Sequence, residues 1–195
     1  MKVDVQQNIY YRWTVAILAT AGTYILIRSF LFAGVTSFLF SWLLHFALMA
    51  WFTVVASQVK PALASPYFKT YTFEKEGKIY EALGVHLYRR LLVLSGWEKI
   101  SQKENPVNKD LAALQKYDYA TRSSETGHAV IALMVLGVTV WVVRVYGITG
   151  AFWLILLNIL FNFYPIMVQR YNRPRIRRVL HKYFSQTKNP TLSRL

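Results

Sequence analysis

The chain has 195 residues, of which 54% are hydrophobic and 16% are charged, whereas a soluble domain carries about 25% charged residues. Lysine and arginine outnumber aspartate and glutamate by 23 to 9, and the absence of cysteine excludes disulfides and thiol nucleophiles. The aromatic content of 16% argues against a disordered basic tail, and long apolar runs argue against a nucleic-acid-binding protein. Apolar, aromatic and basic residues in this combination are typical of a membrane protein.

The first apolar run, Trp13–Val59, contains one charged residue, Arg28. Because one bilayer crossing takes about 20 residues, this run is long enough for two transmembrane helices. We predict these helices at Trp13–Phe32 and Val35–Ala56, with Gly34 in the turn between them.

The second apolar run follows Glu125 and is interrupted once. Thr126–Val143 and Val145–Gln169 contain no aspartate, glutamate, lysine or arginine, and Arg144 and Gly147 mark the predicted turn. The sequence therefore predicts an all-α integral membrane protein with four transmembrane helices in two hairpins, supplemented by amphipathic cytoplasmic helices.

The distribution of basic residues predicts the orientation of these helices. Four crossings place both termini and the central loop on one side, and that side carries 21 of the 23 lysine and arginine residues. Since basic residues favour the cytoplasmic side, we expect a multi-pass protein of the plasma membrane with cytoplasmic N- and C-termini. We expect a single membrane domain, divided into a first hairpin (1–56), a cytoplasmic loop (57–125), a second hairpin (126–169) and a basic tail (170–195).

The central loop is predicted to be amphipathic. Glu76–Leu94 has leucine and isoleucine near the helical period with basic residues among them, which fits either an interfacial helix on the cytoplasmic leaflet or a helix packed beneath the transmembrane helices. Ser101–Lys109 is a polar turn region, and Asp110–Arg122 should be helical and continue into the third crossing.

The tail repeats this amphipathic pattern. Pro174 suits the first position of a separate helix, whose apolar stripe begins at Ile176 and is flanked by arginines. A basic amphipathic helix beside a membrane most often binds anionic lipids, so we expect the bilayer and its anionic lipids to be partners of this chain.

His45, Asn158 and Asn162 are polar residues that fall deep within the apolar runs. His45 lies near the middle of the second crossing, and Asn158 and Asn162 are four residues apart in the fourth, which places them on one helix face. Polar groups at this depth usually face other helices, so hydrogen bonding between helices is the favoured interpretation.

Glu125 and His128 lie three residues apart at the start of the third crossing. On a helix the two side chains point the same way, and a carboxylate can orient an imidazole that acts as a general base. Carboxylate–histidine pairs also bind metals, but a single pair makes a di-metal site improbable, and we expect no metal.

The segment Gln169–Arg175 directly follows the fourth crossing and reads Gln-Arg-Tyr-Asn-Arg-Pro-Arg. Its guanidinium groups can bind phosphate or carboxylate in a two-pronged way. A positively charged stop signal would explain the arginines, but it would not explain the glutamine, asparagine and tyrosine among them.

Three segments, in chain order, resemble the glycosyl-4,4′-diaponeurosporenoate acyltransferase family, whose members are small bacterial inner-membrane proteins of carotenoid biosynthesis. Phe73–Leu92 contains a similar Glu-x-Gly-(Lys/Arg)-aromatic run that leads to a basic stretch, and Glu125-Thr-Gly-His128 matches a Glu-x-x-His that opens a transmembrane helix. Asn162–Arg175 contains the family's Val-Gln-Arg-Tyr-Asn-Arg-Pro-Arg intact. The chain departs from the family at Ser123-Ser124 and at Ala129, where Arg-Ala and Trp are usual.

The resemblance implies that a fatty acyl group moves from a thioester donor, on CoA or on a carrier protein, to a sugar hydroxyl of a lipid-like acceptor, without a bound cofactor. His128 would be the general base and Glu125 its orienting partner. The binding residues would be Arg170, Arg173 and Arg175 for the donor's phosphates or the developing negative charge, and Gln169 and Asn172 for the acceptor sugar.

An alternative is a non-catalytic accessory subunit of a larger membrane complex, with other membrane subunits as partners. The aromatic-rich helices and the altered residues around the Glu-x-x-His sequence favour this alternative. Neither interpretation involves nucleic acid.

Overall fold

The computed structural model describes residues 2–59, 62–96 and 111–188, which are all-α. Seven α-helices occur in these residues: α1 (Lys2–Ala33), α2 (Phe38–Val59), α3 (Lys78–Ala82), α4 (Val85–Leu94), α5 (Leu111–Gly150), α6 (Phe152–Asn158) and α7 (Tyr164–Lys188). Two short 3₁₀ helices, Pro66–Phe68 and Thr72–Gly77, precede α3, and a π-helical segment, Ile159–Phe163, joins α6 to α7.

The chain forms two compact units with different interiors. Unit 1 comprises Met1–Pro61 and Gly127–Phe163, and unit 2 comprises Ala62–Thr126 and Tyr164–Leu195. The core of unit 1 is apolar and consists of Val35, Phe40, Leu44, Ile131, Val135, Val142, Ala151 and Leu154. Unit 2 instead buries charged side chains, namely Glu74, Asp118, Glu125, Arg170 and Arg173.

Three helical stretches are long and apolar enough to cross a membrane: Phe38–Ala56, Leu111–Gly150 and Phe152–Tyr183. They correspond to the second, third and fourth predicted crossings, and they identify the chain as a multi-pass membrane protein by helix length and composition. The apolar part of α1, Ile17–Ala33, is a shorter helix. The four-crossing topology therefore stays a prediction.

Both predicted turns in the apolar runs occur at glycine. Gly34 has a φ of +77°, and Ser37 then caps α2 by accepting a hydrogen bond from the Phe40 N–H to its hydroxyl oxygen at 3.1 Å. This cap explains why the helix begins at Phe38 rather than at the predicted Val35. In the second hairpin the helix continues through Arg144, and the backbone leaves the helical conformation at Gly147, where φ is +75°.

The single amphipathic helix predicted at Glu76–Leu94 is wrong. The backbone enters the left-handed region at Gly77 and again at Gly84, where φ is +99° and +82°, and this splits the segment into α3 and α4. The predicted row of leucines nevertheless lies exposed, with Leu83 between the two helices and Leu87, Leu91 and Leu94 on α4. Its placement on a membrane surface stays a prediction.

The separate tail helix beginning at Pro174 is also wrong, because α7 runs through this proline without a break. Proline provides no N–H for the carbonyl one turn earlier, so an interior proline needs other contacts to hold the helix together. Those contacts lie on both sides of it: Arg170 donates a hydrogen bond to the Tyr67 carbonyl, and Arg177 donates one to the Phe68 carbonyl.

Helix α5 confirms the prediction that the helix before the third crossing continues into it, since it extends unbroken from Leu111 as far as Gly147. The polar turn predicted at Ser101–Lys109 lies outside the described residues. His45, Asn158 and Asn162 are all buried in unit 1, with exposed fractions of 0%, 5% and 0%.

Candidate functional site

An arginine–carboxylate cluster, formed by Glu74, Glu125, Arg170 and Arg173, lies in the interior of unit 2. Arg170 is the central member and uses all three of its nitrogens. Its Nε donates to Glu125 Oε1 at 2.6 Å, its Nη1 donates to Glu74 Oε1 at 3.0 Å, and its Nη2 donates to the Tyr67 carbonyl at 2.9 Å. Arg170 is therefore held rigidly between two carboxylates.

Arg173 is engaged on one side only. Its Nη2 donates to Glu125 Oε2, and its guanidinium lies 5.3 Å from the centre of the Phe68 ring. The Arg173 side chain is only 1% exposed. Its Nε and Nη1 are buried and have no hydrogen-bond partner among the described residues. An unsatisfied buried donor costs about 1–3 kcal/mol, so an acceptor that bound these nitrogens would be strongly favoured.

Helix geometry explains why these arginines meet. Arg170, Arg173 and Arg177 are three and then four residues apart on α7, which places them on one face. That face contacts the segment of residues 67–77, whose two 3₁₀ helices turn the chain tightly enough to present carbonyl oxygens and Glu74.

Glu74 is the second carboxylate of the cluster and is 1% exposed. Burial alone would raise its pKa, but hydrogen bonds from the Tyr80 hydroxyl at 2.6 Å, from the Tyr71 N–H at 2.8 Å and from Arg170 outweigh burial and hold the pKa below its usual value. Burial and the adjacent carboxylate raise the pKa of Tyr80, so this phenol stays a hydrogen-bond donor.

His128 lies in unit 1 at the end of an amide–imidazole chain, which consists of His128, Asn162, Asn158 and the backbone carbonyl of Ala132. His128 Nδ1 is 3.4 Å from Asn162 Oδ1, Asn162 Nδ2 donates to Asn158 Oδ1 at 2.8 Å, and Asn158 Nδ2 donates to the Ala132 carbonyl at 3.2 Å. The two asparagines thus share a face, as their spacing predicted, and they link the π-helical segment to α5.

The remaining predicted binding residues lie on α7. Gln169 is half-buried, and its Nε2 donates to the Ser124 hydroxyl oxygen at 3.3 Å. Asn172 is half-buried, and Arg175 is exposed. The guanidinium of Arg175 lies 3.7 Å from the centre of the Tyr171 ring and donates to Glu81 Oε1 at 3.2 Å.

The structure therefore brings Glu125, Arg170 and Arg173 into one cluster. Both carboxylate oxygens of Glu125 have arginine partners, and the side-chain partner of His128 is Asn162. The orientation of His128 by Glu125 stays a prediction. Within the described residues, no three histidine, cysteine, aspartate or glutamate side chains come together in a way that could hold a metal ion.

Glu74 is the cluster residue that the sequence did not single out. It lies at the start of the first of the three resembling segments, but Glu76 and Glu81 stand close by. Glu76 and Glu81 form exposed ion pairs with Arg178 and Arg175, whereas Glu74 is buried. Only the fold separates these three glutamates.

Comparison with known proteins gives one match. The family model described as "Glycosyl-4,4'-diaponeurosporenoate acyltransferase" matches residues 64–182, which is more than half of the chain. The matched range contains every residue of the arginine–carboxylate cluster and of the amide–imidazole chain. No curated protein and no solved structure matches significantly.

Proposed function

The chain belongs to the glycosyl-4,4'-diaponeurosporenoate acyltransferase family, and from this premise we propose that it transfers an acyl group from a thioester donor to a sugar hydroxyl of a lipid-like acceptor. The donor is an acyl thioester of CoA or of a carrier protein. The proposed setting is the cytoplasmic leaflet of a bacterial plasma membrane, with four crossings and both termini in the cytoplasm.

The observation that carries this proposal is the contact of His128 with Asn162. Two groups hold the imidazole, the Asn162 side-chain oxygen and the Phe161 backbone, and a histidine oriented by such contacts can act as a general base. The distance of 3.4 Å is long for a hydrogen bond, and catalytic hydrogen bonds are often long before substrate binds.

The reaction that these groups support is a balanced acyl transfer. His128 accepts the proton of the acceptor hydroxyl as the oxygen attacks the thioester carbonyl carbon and forms a tetrahedral oxyanion. The carbon–sulfur bond then breaks, the imidazolium returns the proton to the departing sulfur, and the products are an ester and a free thiol. General-base catalysis of this kind contributes about 10²–10⁴-fold to the rate.

Arg173 is assigned to the donor. Its two unsatisfied nitrogens can donate to phosphate oxygens of CoA or of a carrier's prosthetic group, and Glu125 holds the guanidinium in place. Arg170 is already satisfied by Glu125 and Glu74, so we assign it a positioning role. Arg175 adds positive charge at the surface of α7, and Gln169 and Asn172 are assigned to the acceptor sugar.

The test is ester formation by the purified protein in lipid nanodiscs, with palmitoyl-CoA as donor and a long-chain alkyl glucoside as acceptor. We expect His128→Ala to lower the turnover number by at least about 10²-fold. His181→Ala serves as the matched control, because His181 is an exposed histidine on α7 and should retain the wild-type rate. Near-normal turnover by His128→Ala would remove the catalytic assignment.

Arg173→Lys in the same assay tests donor binding. Lysine keeps the charge but loses the planar fork, so we expect the KM for palmitoyl-CoA to rise by about tenfold or more while the KM for the glucoside stays constant. A wild-type protein that formed no ester from either acyl-CoA or acyl-carrier donors would instead favour the accessory-subunit alternative.

A further inference from the structure

We infer that Asn158 and Asn162 set the tautomer of His128, so that the neutral imidazole carries its proton on Nδ1 and Nε2 is the nitrogen that accepts a proton. The geometry of the amide–imidazole chain carries this inference. Its catalytic meaning rests on the proposed function, whereas the tautomer itself does not.

The direction of the chain follows from its far end. The Ala132 carbonyl oxygen can only accept a hydrogen bond, so the group 3.2 Å from it must be the NH₂ of Asn158. The oxygen of Asn158 then faces Asn162, and because this oxygen also only accepts, the group 2.8 Å from it must be the NH₂ of Asn162.

The same reasoning reaches the histidine. With its NH₂ committed to Asn158, Asn162 presents its oxygen to His128 Nδ1. An oxygen cannot donate, so Nδ1 must carry the hydrogen, and the lone pair of the neutral ring lies on Nε2. The Ala132 carbonyl on α5 thereby fixes the orientation of both asparagine amides. Through them it also fixes the tautomer of His128, which lies one turn before Ala132 on α5.

Burial makes this arrangement rigid. Asn158 and Asn162 are 5% and 0% exposed, so water does not compete for their amide groups. A flipped Asn158 would place its oxygen against the Ala132 oxygen, and two facing acceptors in a low-dielectric interior are strongly disfavoured. Asn162 also lies in the π-helical segment, and such one-turn irregularities occur frequently at functional sites.

Asn158 and Asn162 are thus positioning residues, since they act through His128. If Asn158 no longer accepts from Asn162, the Asn162 amide can rotate and present its NH₂ to Nδ1. Nδ1 must then accept, and the proton moves to Nε2, which leaves the ring without a lone pair at the reacting nitrogen. An imidazole held in the wrong tautomer lowers the turnover number of a serine protease by about 10⁴-fold.

Ring ¹⁵N chemical shifts of the histidine-labelled protein in nanodiscs measure the tautomer directly. The His128 signals are assigned by their loss from the His128→Ala spectrum, which is practical because the chain has four histidines. We expect a protonated Nδ1 and an unprotonated Nε2 in the wild type, and loss of this pattern in Asn158→Leu and Asn162→Leu. Asn162→Asp, whose carboxylate still accepts from Nδ1, should retain it.

Thr139→Val is the control for stability, because Thr139 also makes a buried hydrogen bond on α5 but takes no part in the chain. We expect this variant to keep the wild-type tautomer and rate. A wild-type His128 protonated on Nε2, or an unchanged tautomer in Asn158→Leu, would overturn the inference whether or not ester formation is detected. A changed tautomer with an unchanged turnover number would overturn the positioning role.

Discussion

Arg170 shows how a single side chain organises unit 2. It lies between Glu125 and Glu74 at 2.6 and 3.0 Å and is 8% exposed. Removing one partner of a buried ion pair leaves the other charge uncompensated, which costs about 3–5 kcal/mol, whereas a fully satisfied pair contributes much less. The cluster therefore matters more for specifying one arrangement of α7 than for net stability.

Glu74→Gln is predicted to change how the stability of the protein depends on pH. The pKa of Glu74 lies below its usual value of 4.5 in the folded protein, so the unfolded chain binds this proton more readily. The stabilisation is therefore present at pH values above about 4.5 and is lost as the pH falls through the folded pKa. We expect the wild-type melting temperature to decrease over this acidic range and the decrease to be shallower in Glu74→Gln.

The control for this experiment is Glu76→Gln, which removes an exposed carboxylate that pairs with Arg178. Exposed ion pairs contribute about 0–1 kcal/mol, so this variant should follow the wild-type acid curve. Parallel acid curves for Glu74→Gln and the wild type would show that Glu74 contributes nothing to acid sensitivity.

For the arginine–carboxylate cluster, the sequence identifies both arginines but only one of the two glutamates. Arg170 and Arg173 stand in an ordered motif of polar residues, and Glu125 lies beside a histidine, so pattern and spacing select all three. Glu74 is one of three glutamates in a short stretch, and only burial distinguishes it. Which nitrogens of Arg173 stay without a partner depends on side-chain geometry that spacing does not contain.

Gly127 on α5, within the Glu-Thr-Gly-His sequence, leaves little space for a side chain. A Cβ atom at this position would lie 2.6 Å from Cε1 of the Phe52 ring on α2. Cβ atoms in proteins essentially never come this close to another heavy atom. The absence of a side chain at residue 127 therefore lets α5 and α2 pack closely within unit 1.

Gly127→Ala is predicted to destabilise the protein by about 1–3 kcal/mol, the usual cost of overpacking a well-packed interior. Gly137→Ala is the matched control on the same helix, because nothing lies within 4 Å of its Cβ position. The control should gain up to about 1 kcal/mol from the higher helix propensity of alanine. Thermal unfolding in one detergent compares the two, and equal melting temperatures would contradict the packing argument.

The helices that the sequence predicts correctly are those with unambiguous ends. Gly34 and Gly147 mark the predicted turns of the two hairpins, and the backbone has a positive φ at both. Gly84 lies within a row of leucines that keeps the helical period across it, so the row predicted one helix although the backbone turns there. The π-helical segment has no such marker, because its residues, apolar except for Asn162, do not distinguish it from the α-helices on either side.

At the scale of the whole molecule, the distribution of charge makes the strongest prediction. The side that holds both termini and the central loop in the prediction carries 21 lysine and arginine residues. The opposite side carries two, Arg28 and Arg144, which lie near the predicted hairpin turns. Such an asymmetry sets the orientation of membrane helices, because positively charged loops are retained in the cytoplasm. In the four-crossing prediction, the three long apolar helices are crossings two to four and α1 is the first.

Reporter fusions test this topology. A fusion after Leu195 should report the cytoplasm and a fusion at Thr36, in the turn between α1 and α2, should report the opposite side. If α1 did not cross, the three remaining crossings would place Lys2 and Leu195 on different sides, so fusions at the two ends would disagree. Replacing Arg175, Arg177 and Arg178 by glutamine is the control, since enough basic residues remain to keep the orientation. A fusion after Leu195 that reported the outside would refute the four-crossing topology.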